Sequence, residues 1–176
     1  MEKIMKKEEK TKMLSLLAAA YPDAKPALHF QNAFELLIAV LLSAQCTDAR
    51  VNIVTKDLFA KYPTLEALAA AGPDAIEAII KPCGLGKSKA RDLAGMANML
   101  LREYGGKVPQ AMEDLLRLPG VGRKSANLIR GDIFHLPAVV ADTHCIRICG
   151  KLGLSQGKDP QKVEMQRSPT ISATAA

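Results

Sequence analysis

The chain has 176 residues, 48% of them hydrophobic and 24% charged, with a formal net charge of +6. That apolar share excludes a disordered chain, and the length suffices to bury a core in one or two small domains. No apolar run reaches transmembrane length and no signal-peptide pattern opens the chain; four cysteines are few for a disulfide framework. These features read as a protein of a reducing, intracellular compartment. The charge is unevenly placed: residues 1–80 hold nine Lys/Arg against ten Asp/Glu, whereas residues 81–151 hold twelve against six. A polyanion-binding surface would concentrate its cations in this way.

Almost every segment has a helical period, and no convincing strand run is present. Met1–Lys12 alternates lysine and glutamate and reads as a solvated helix start. The first helix is expected over Glu8–Ala20, and Asp23–Asn32 is a loop. Ala33–Gln45 is apolar nearly all round, the mark of a buried central helix. Thr47–Ala60 follows as an amphipathic helix, broken by Tyr62-Pro63. Thr64 caps a short helix, Leu65–Ala71, and Gly72-Pro73 starts another with proline in its first turn. Lys81–Gly86 is a turn. Lys87–Tyr104 is a long amphipathic helix closed by Gly105-Gly106. Met112–Leu118 and Arg123–His135 form a hairpin pair, and Thr143–Leu152 follows Asp142. Asp159-Pro160 begins a last helix whose apolar face disappears within two turns.

The hairpin carries the chemistry. It reads Leu118-Pro119-Gly120-Val121-Gly122-Arg123-Lys124-Ser125-Ala126. Pro119 presets a turn, and Gly120 and Gly122 permit left-handed backbone and close approach of a ligand. The first-turn N–H groups of the next helix lack intrahelical acceptors, so a phosphate is the natural ligand, although such a turn is often only a turn. Lys124 sits where the helix dipole opposes an ammonium, and burial would disfavour its charge further. A neutral amine there is a nucleophile for carbonyl-like carbon; a solvated or phosphate-pairing lysine is the plainer alternative. Asp142 suits a helix N-cap, and a carboxylate there can also act as a base or stabilise a developing cation.

Leu118–Ala126 together with Val140-Ala141-Asp142-Thr143-His144 resembles the helix-hairpin-helix and catalytic aspartate of the endonuclease III family of DNA glycosylases. Phe34–Asp48 resembles the same family near its start, and the similarity extends from about Met13 to about Glu164. The resemblance implies an all-α fold of two lobes: a six-helix barrel over residues 28–137, and a second lobe that joins residues 1–27 to residues 138–164. It places the DNA cleft, Lys124 and Asp142 between the lobes. It implies that Lys124 attacks C1′ of a flipped, oxidised pyrimidine nucleotide. Adenine-specific relatives lack that lysine.

The same resemblance suggests other roles. Gln45 would fill the gap left by an extruded base, and Leu85, on a glycine-flanked loop, would be the wedge that unstacks the duplex. A helix-end glutamine and an ordinary turn anchor are the plain alternatives. Lys87, Lys89 and Arg91 open a helix and could contact phosphates, as could Gly120, Val121, Gly122 and Arg123 at the hairpin. Cys145 and Cys149 stand one helical turn apart and read as buried thiols rather than a disulfide or metal pair. His29, His135 and His144 have no evident ligand partners.

Family members usually continue into a four-cysteine loop that holds a [4Fe–4S] cluster, and no such run follows Cys149. The segment 165–176 is polar and small, which reads as an aberrant tail on a truncated or frameshifted copy. No cofactor is therefore expected in this chain. The expected activity is base-excision repair: removal of oxidised pyrimidines from double-stranded DNA by a monomer, and cleavage 3′ to the abasic site. The rival is a catalytically impaired remnant that only binds DNA.

Overall fold

The computed structural model describes residues 5–23 and 25–172. Residues 1–4 and 24 of the expected N-terminal segment, and 173–176 of the expected tail, lie outside the described residues. The α-helices among the described residues are α1 (Lys7–Ala20), α2 (Ala33–Leu42), α3 (Asp48–Lys61), α4 (Leu65–Ala71), α5 (Pro73–Ile80), α6 (Gly86–Tyr104), α7 (Met112–Arg117), α8 (Arg123–Asp132), α9 (Thr143–Lys151) and α10 (Pro160–Ser172). A 3-10 turn, Lys81–Cys83, joins α5 to α6. There is no strand among the described residues, and the expected all-α fold is what the chain adopts.

The chain divides into two compact units, residues 26–129 and residues 1–25 with 130–176. The larger unit is built on α2. Asn32 Oδ1 accepts the Glu35 N–H at 2.9 Å and fixes the start of that helix. Leu36 to Leu42 are then all buried. The apolar run cannot be placed at a surface, so α3 and α6 pack against it, and α5 and α4 pack along α6. Leu36, Leu58, Ile76, Leu93, Met96, Leu100 and Leu115 all lie in this core with under 2% of their surface exposed. Leu93→Ala is expected to lower unfolding free energy by about 2–5 kcal/mol, read as a shifted urea midpoint at constant slope. A shift under ~0.5 kcal/mol would contradict the tight packing around α6.

Side-chain caps set several of the boundaries. Thr64 Oγ1 accepts the Ala67 N–H at 3.2 Å and Thr47 Oγ1 accepts the Arg50 N–H at 3.4 Å. Each such cap contributes about 1 kcal/mol. At the far end of α6, Arg117 of α7 pairs with Glu103 at 2.5 Å and donates to the Tyr104 hydroxyl at 2.9 Å. Tyr104 in turn donates to Asp114 at 3.1 Å, so the first hairpin helix is fastened to α6.

The smaller unit holds α1, α9 and α10, with α10 packed on both of the others. The Met5 N–H reaches the Gly153 carbonyl at 3.0 Å. Cys149, Leu154 and Val163 are buried, whereas Leu16, Ile148 and Met165 are exposed. Helix α10 extends further than the sequence pattern suggested. Its backbone is helical to Ser172, past the point where the apolar face is lost and through Pro169. Helix α8 ends earlier than expected, at Asp132. His135 takes the left-handed position that closes it, with φ 52°, and the Leu136 N–H returns to the Arg130 carbonyl at 2.9 Å.

Candidate active site

The hairpin turn Leu118–Gly122 is held from within. The Val121 N–H donates to the Leu118 carbonyl at 3.1 Å and the Val121 side chain is buried. Val121 therefore anchors the turn, and its N–H is already engaged. Gly120 has φ 75°, and a Cβ there would lie 2.6 Å from Leu41 Cδ1 and 3.0 Å from Asp92 Cβ. The glycine is needed twice, for its backbone angle and for its contact with α2 and α6. Gly95 of α6 makes matching room for Pro119. Gly120→Ala is expected to destabilise the larger unit by about 1–3 kcal/mol, measured by chemical denaturation. An unchanged midpoint would mean that the turn can shift away from α2 at no cost.

Gly122 behaves differently from the expectation of a second left-handed glycine. It is not among the positive-φ residues, and a Cβ there would meet nothing within 4 Å. The outer face of the turn is bare at this position. Next to it Arg123 and Lys124 are exposed at the start of α8. No acidic residue stands in the first turn of α8. The turn thus combines the positive end of a helix dipole with two cationic side chains, the polarity a phosphate requires. Lys124 is exposed, so the burial considered for it from the sequence is not what the structure has.

Asp142 belongs to the other unit. It is half-buried and caps α9, its Oδ1 accepting the Cys145 N–H at 2.7 Å. His144, two residues later, is exposed.

Gln45 and Leu85 have an unusual property in common. Both are exposed and both take left-handed backbone, φ 56° and φ 52°, which costs a residue with a side chain about 1–2 kcal/mol. Helix α2 ends at Leu42, three residues before the expected end at Gln45. The Cys46 N–H closes the turn on the Ser43 carbonyl at 3.1 Å. The Leu85 carbonyl accepts the Lys89 N–H at 3.0 Å and the Ser88 hydroxyl at 3.1 Å. Leu85 is 56% exposed, so its side chain is not packed into the larger unit's core.

Lys87 and Arg91 are exposed on α6, as phosphate contacts would have to be. Lys89 is not, and the expectation of a phosphate contact there is corrected. It is 3% exposed, and Nζ donates to the carbonyls of Leu42 at 2.8 Å, Ala44 at 2.7 Å and Cys83 at 2.9 Å. Those three bonds use all the protons of an ammonium. Burial draws the Lys89 pKa below its ordinary value, and the nearby thiols of Cys83 and Cys46 oppose the shift. Burial, with Cys46 beside it, pushes the Cys83 thiol up to about 11. The helical phase held the signal: Lys89, Leu93, Met96 and Leu100 lie on one stripe of α6, and the three apolar members are among its core residues.

A family model described as HhH-GPD superfamily base excision DNA repair protein matches residues 38–171. The chain belongs to that superfamily. Within it, the chain is 43% identical to endonuclease III of Synechocystis over 160 residues, which is 90% of this chain and 73% of that protein. It is 38% identical to endonuclease III of Escherichia coli K12 over 169 residues, 96% of this chain and 80% of that one. A solved endonuclease III trapped as a covalent intermediate with DNA superposes with a TM-score of 0.85 at 39% identity, covering 98% of this chain and 85% of that one. A thermostable thymine-DNA glycosylase, at 21% identity and a TM-score of 0.76, shares the fold.

The HhH-GPD chain holds its cysteines as thiols in two separate places. Cys46 and Cys83 lie in the larger unit, and Cys145 and Cys149 lie on α9 with their Sγ atoms 3.8 Å apart. Among the described residues, no group of three or more His, Cys, Asp or Glu side chains could hold a metal ion. These residues do not fit the four-thiolate ligand set of a [4Fe–4S] cluster. No described helix is long and apolar enough to cross a membrane.

Proposed function

We propose that the chain is a base-excision DNA glycosylase and abasic-site lyase that removes oxidised pyrimidines from duplex DNA. Its close likeness to an endonuclease III trapped in covalent linkage to DNA is the observation that carries the reading. Lys124, exposed at the start of α8, supplies the nucleophile.

The hairpin grips the backbone through the face of Gly122 and the first turn of α8, while Lys87 and Arg123 add phosphate contacts that position without reading sequence. The damaged nucleotide leaves the stack, because C1′ is shielded in a duplex. Gln45 and Leu85 occupy the space it vacates. Lys124, as the neutral amine, attacks C1′; the N–C1′ bond breaks and the base departs with a proton. Asp142 stabilises the positive charge that grows on the sugar. Ring opening gives an imine to Lys124. Loss of a C2′ proton then expels the 3′ phosphate, and hydrolysis frees the lysine. The thiols and a chromosomal substrate suit an intracellular, nucleoid-associated setting.

Borohydride reduction on duplex DNA with one abasic site tests the reading. A covalent protein–DNA adduct is expected. A protein that is helical by circular dichroism and binds DNA but gives no adduct would be a DNA-binding module instead. Gly122→Ala separates grip from fold: affinity for duplex DNA should fall about tenfold by fluorescence anisotropy at unchanged stability, since one backbone contact is worth about 1.4 kcal/mol. Unchanged affinity would remove this face of the turn from the interface.

A further inference from the structure

We propose that Lys89 is a positioning residue that sets the spacing of Gln45 and Leu85, a role that rests on the glycosylase reading above. Its ammonium holds the carbonyl of Ala44, the residue directly before Gln45, at 2.7 Å. The same atom holds the carbonyl of Cys83, two residues before Leu85, at 2.9 Å. The two oxygens therefore lie within about 6 Å of each other, each at hydrogen-bond length from one nitrogen. The backbone N–H of Lys89 is bonded to the Leu85 carbonyl as well. One buried residue thus ties together the two exposed, left-handed turns, and a third bond fastens both to the end of α2 at Leu42.

The arrangement has a physical purpose. Left-handed residues with side chains relax to ordinary backbone unless their neighbours over-determine them. A cation suits the carbonyl ends of α2 and of the 3-10 turn, where the dipoles are negative. An apolar residue at position 89 could fill the same stripe of α6 but could join no carbonyls. The bridge fixes how far apart Gln45 and Leu85 stand when both enter a duplex, and that distance has to match the gap left by one nucleotide.

Lys89→Met, which keeps length and apolar stem, tests this on two substrates. Base release from duplex DNA under single-turnover conditions is expected to fall about 100-fold, the effect of a misplaced group. Strand cleavage of a single-stranded abasic oligonucleotide, where no gap need be held, should stay within about twofold, the value expected for chemistry left intact. In a Gln45→Ala/Leu85→Ala background, Lys89→Met should add little, because coupled groups are non-additive. Equal losses on both substrates, or a full additional loss in that background, would overturn the role. Should Lys89→Met fail to fold by circular dichroism, Lys89→Arg carries the test, since it keeps the charge and changes the donor geometry. The same split between substrates is expected of it; wild-type rates on both, or equal losses, would overturn the role. A wild-type protein that cleaves neither substrate would remove the glycosylase reading, and this role with it.

Discussion

Lys124→Gln is expected to abolish the borohydride-trapped adduct and to lower base release by about 10⁴-fold or more, the scale seen when a nucleophile is removed. The substitution keeps the length of the side chain and removes both its nucleophilicity and its charge. Position 124 is exposed in the first turn of α8, and substitutions at such positions change stability by about 0.5 kcal/mol or less. The glutamine also relieves an ammonium from the positive end of a helix dipole. Loss of activity through unfolding is therefore not expected, and the melting temperature should match that of the native chain. Duplex affinity should fall by at most about tenfold, since one of several cations near the hairpin is lost. The informative comparison is between these two readouts. An adduct that persists would identify a different nucleophile. A binding loss as large as the catalytic loss would make Lys124 a phosphate contact, the plainer reading that its position alone allows.

The hairpin shows what a sequence can convey and where it stops. The boundaries of α4 were legible because Thr64 is a capping residue and Gly72-Pro73 a terminator, both local signals. The buried α2 was legible because seven consecutive apolar residues have no solvent face to present. Gly120 was legible as a left-handed glycine, but its contact with Leu41 and Asp92 was not, since those residues lie 79 and 28 positions earlier in the chain. Gly122, with the same residue type at a spacing of two, has neither the left-handed backbone nor the close neighbours of Gly120. Sequence can show that a side chain is missing; it does not show whether the space is needed by the protein or left for a ligand.

Lys89 makes the point more sharply. Three lysine and arginine residues open α6, and composition treats them alike. Helical phase separates them, because only Lys89 shares a stripe with Leu93, Met96 and Leu100. The stripe places it inside, but only tertiary structure supplies the three carbonyls that make an interior ammonium tolerable, two of them from residues over forty positions away. Without those acceptors the cost of burial would fall on an unpaired charge. Gln45 and Leu85 were nominated by resemblance; their left-handed backbones are announced by no spacing rule in a glutamine and a leucine.

Asp142→Asn is the second substitution with a large expected effect, and its design follows from the cap. Asp142 Oδ1 accepts the Cys145 N–H at the start of α9. Asparagine caps a helix about as well as aspartate, so the substituted side chain can keep that bond through its amide oxygen while the negative charge is removed. The helix content and melting temperature should therefore be nearly unchanged. Base release should slow by about 10²–10⁴-fold, the range for loss of a catalytic carboxylate. Asp142→Ala provides the contrast: it loses the charge and the cap together, with about 1 kcal/mol less stability on top of the same kinetic loss. If the two variants lost activity in proportion to stability alone, Asp142 would be a helix cap and nothing more. If the asparagine variant is as stable as the native chain and slow, the charge is what the reaction uses. Strand cleavage from a preformed abasic site refines the assignment further. A carboxylate that serves only the cation at C1′ is needed while the base departs, so Asp142→Asn should slow the reaction far less on an abasic duplex than on one that still carries the damaged base. Equal slowing on both would place Asp142 in the activation of Lys124, which both reactions share.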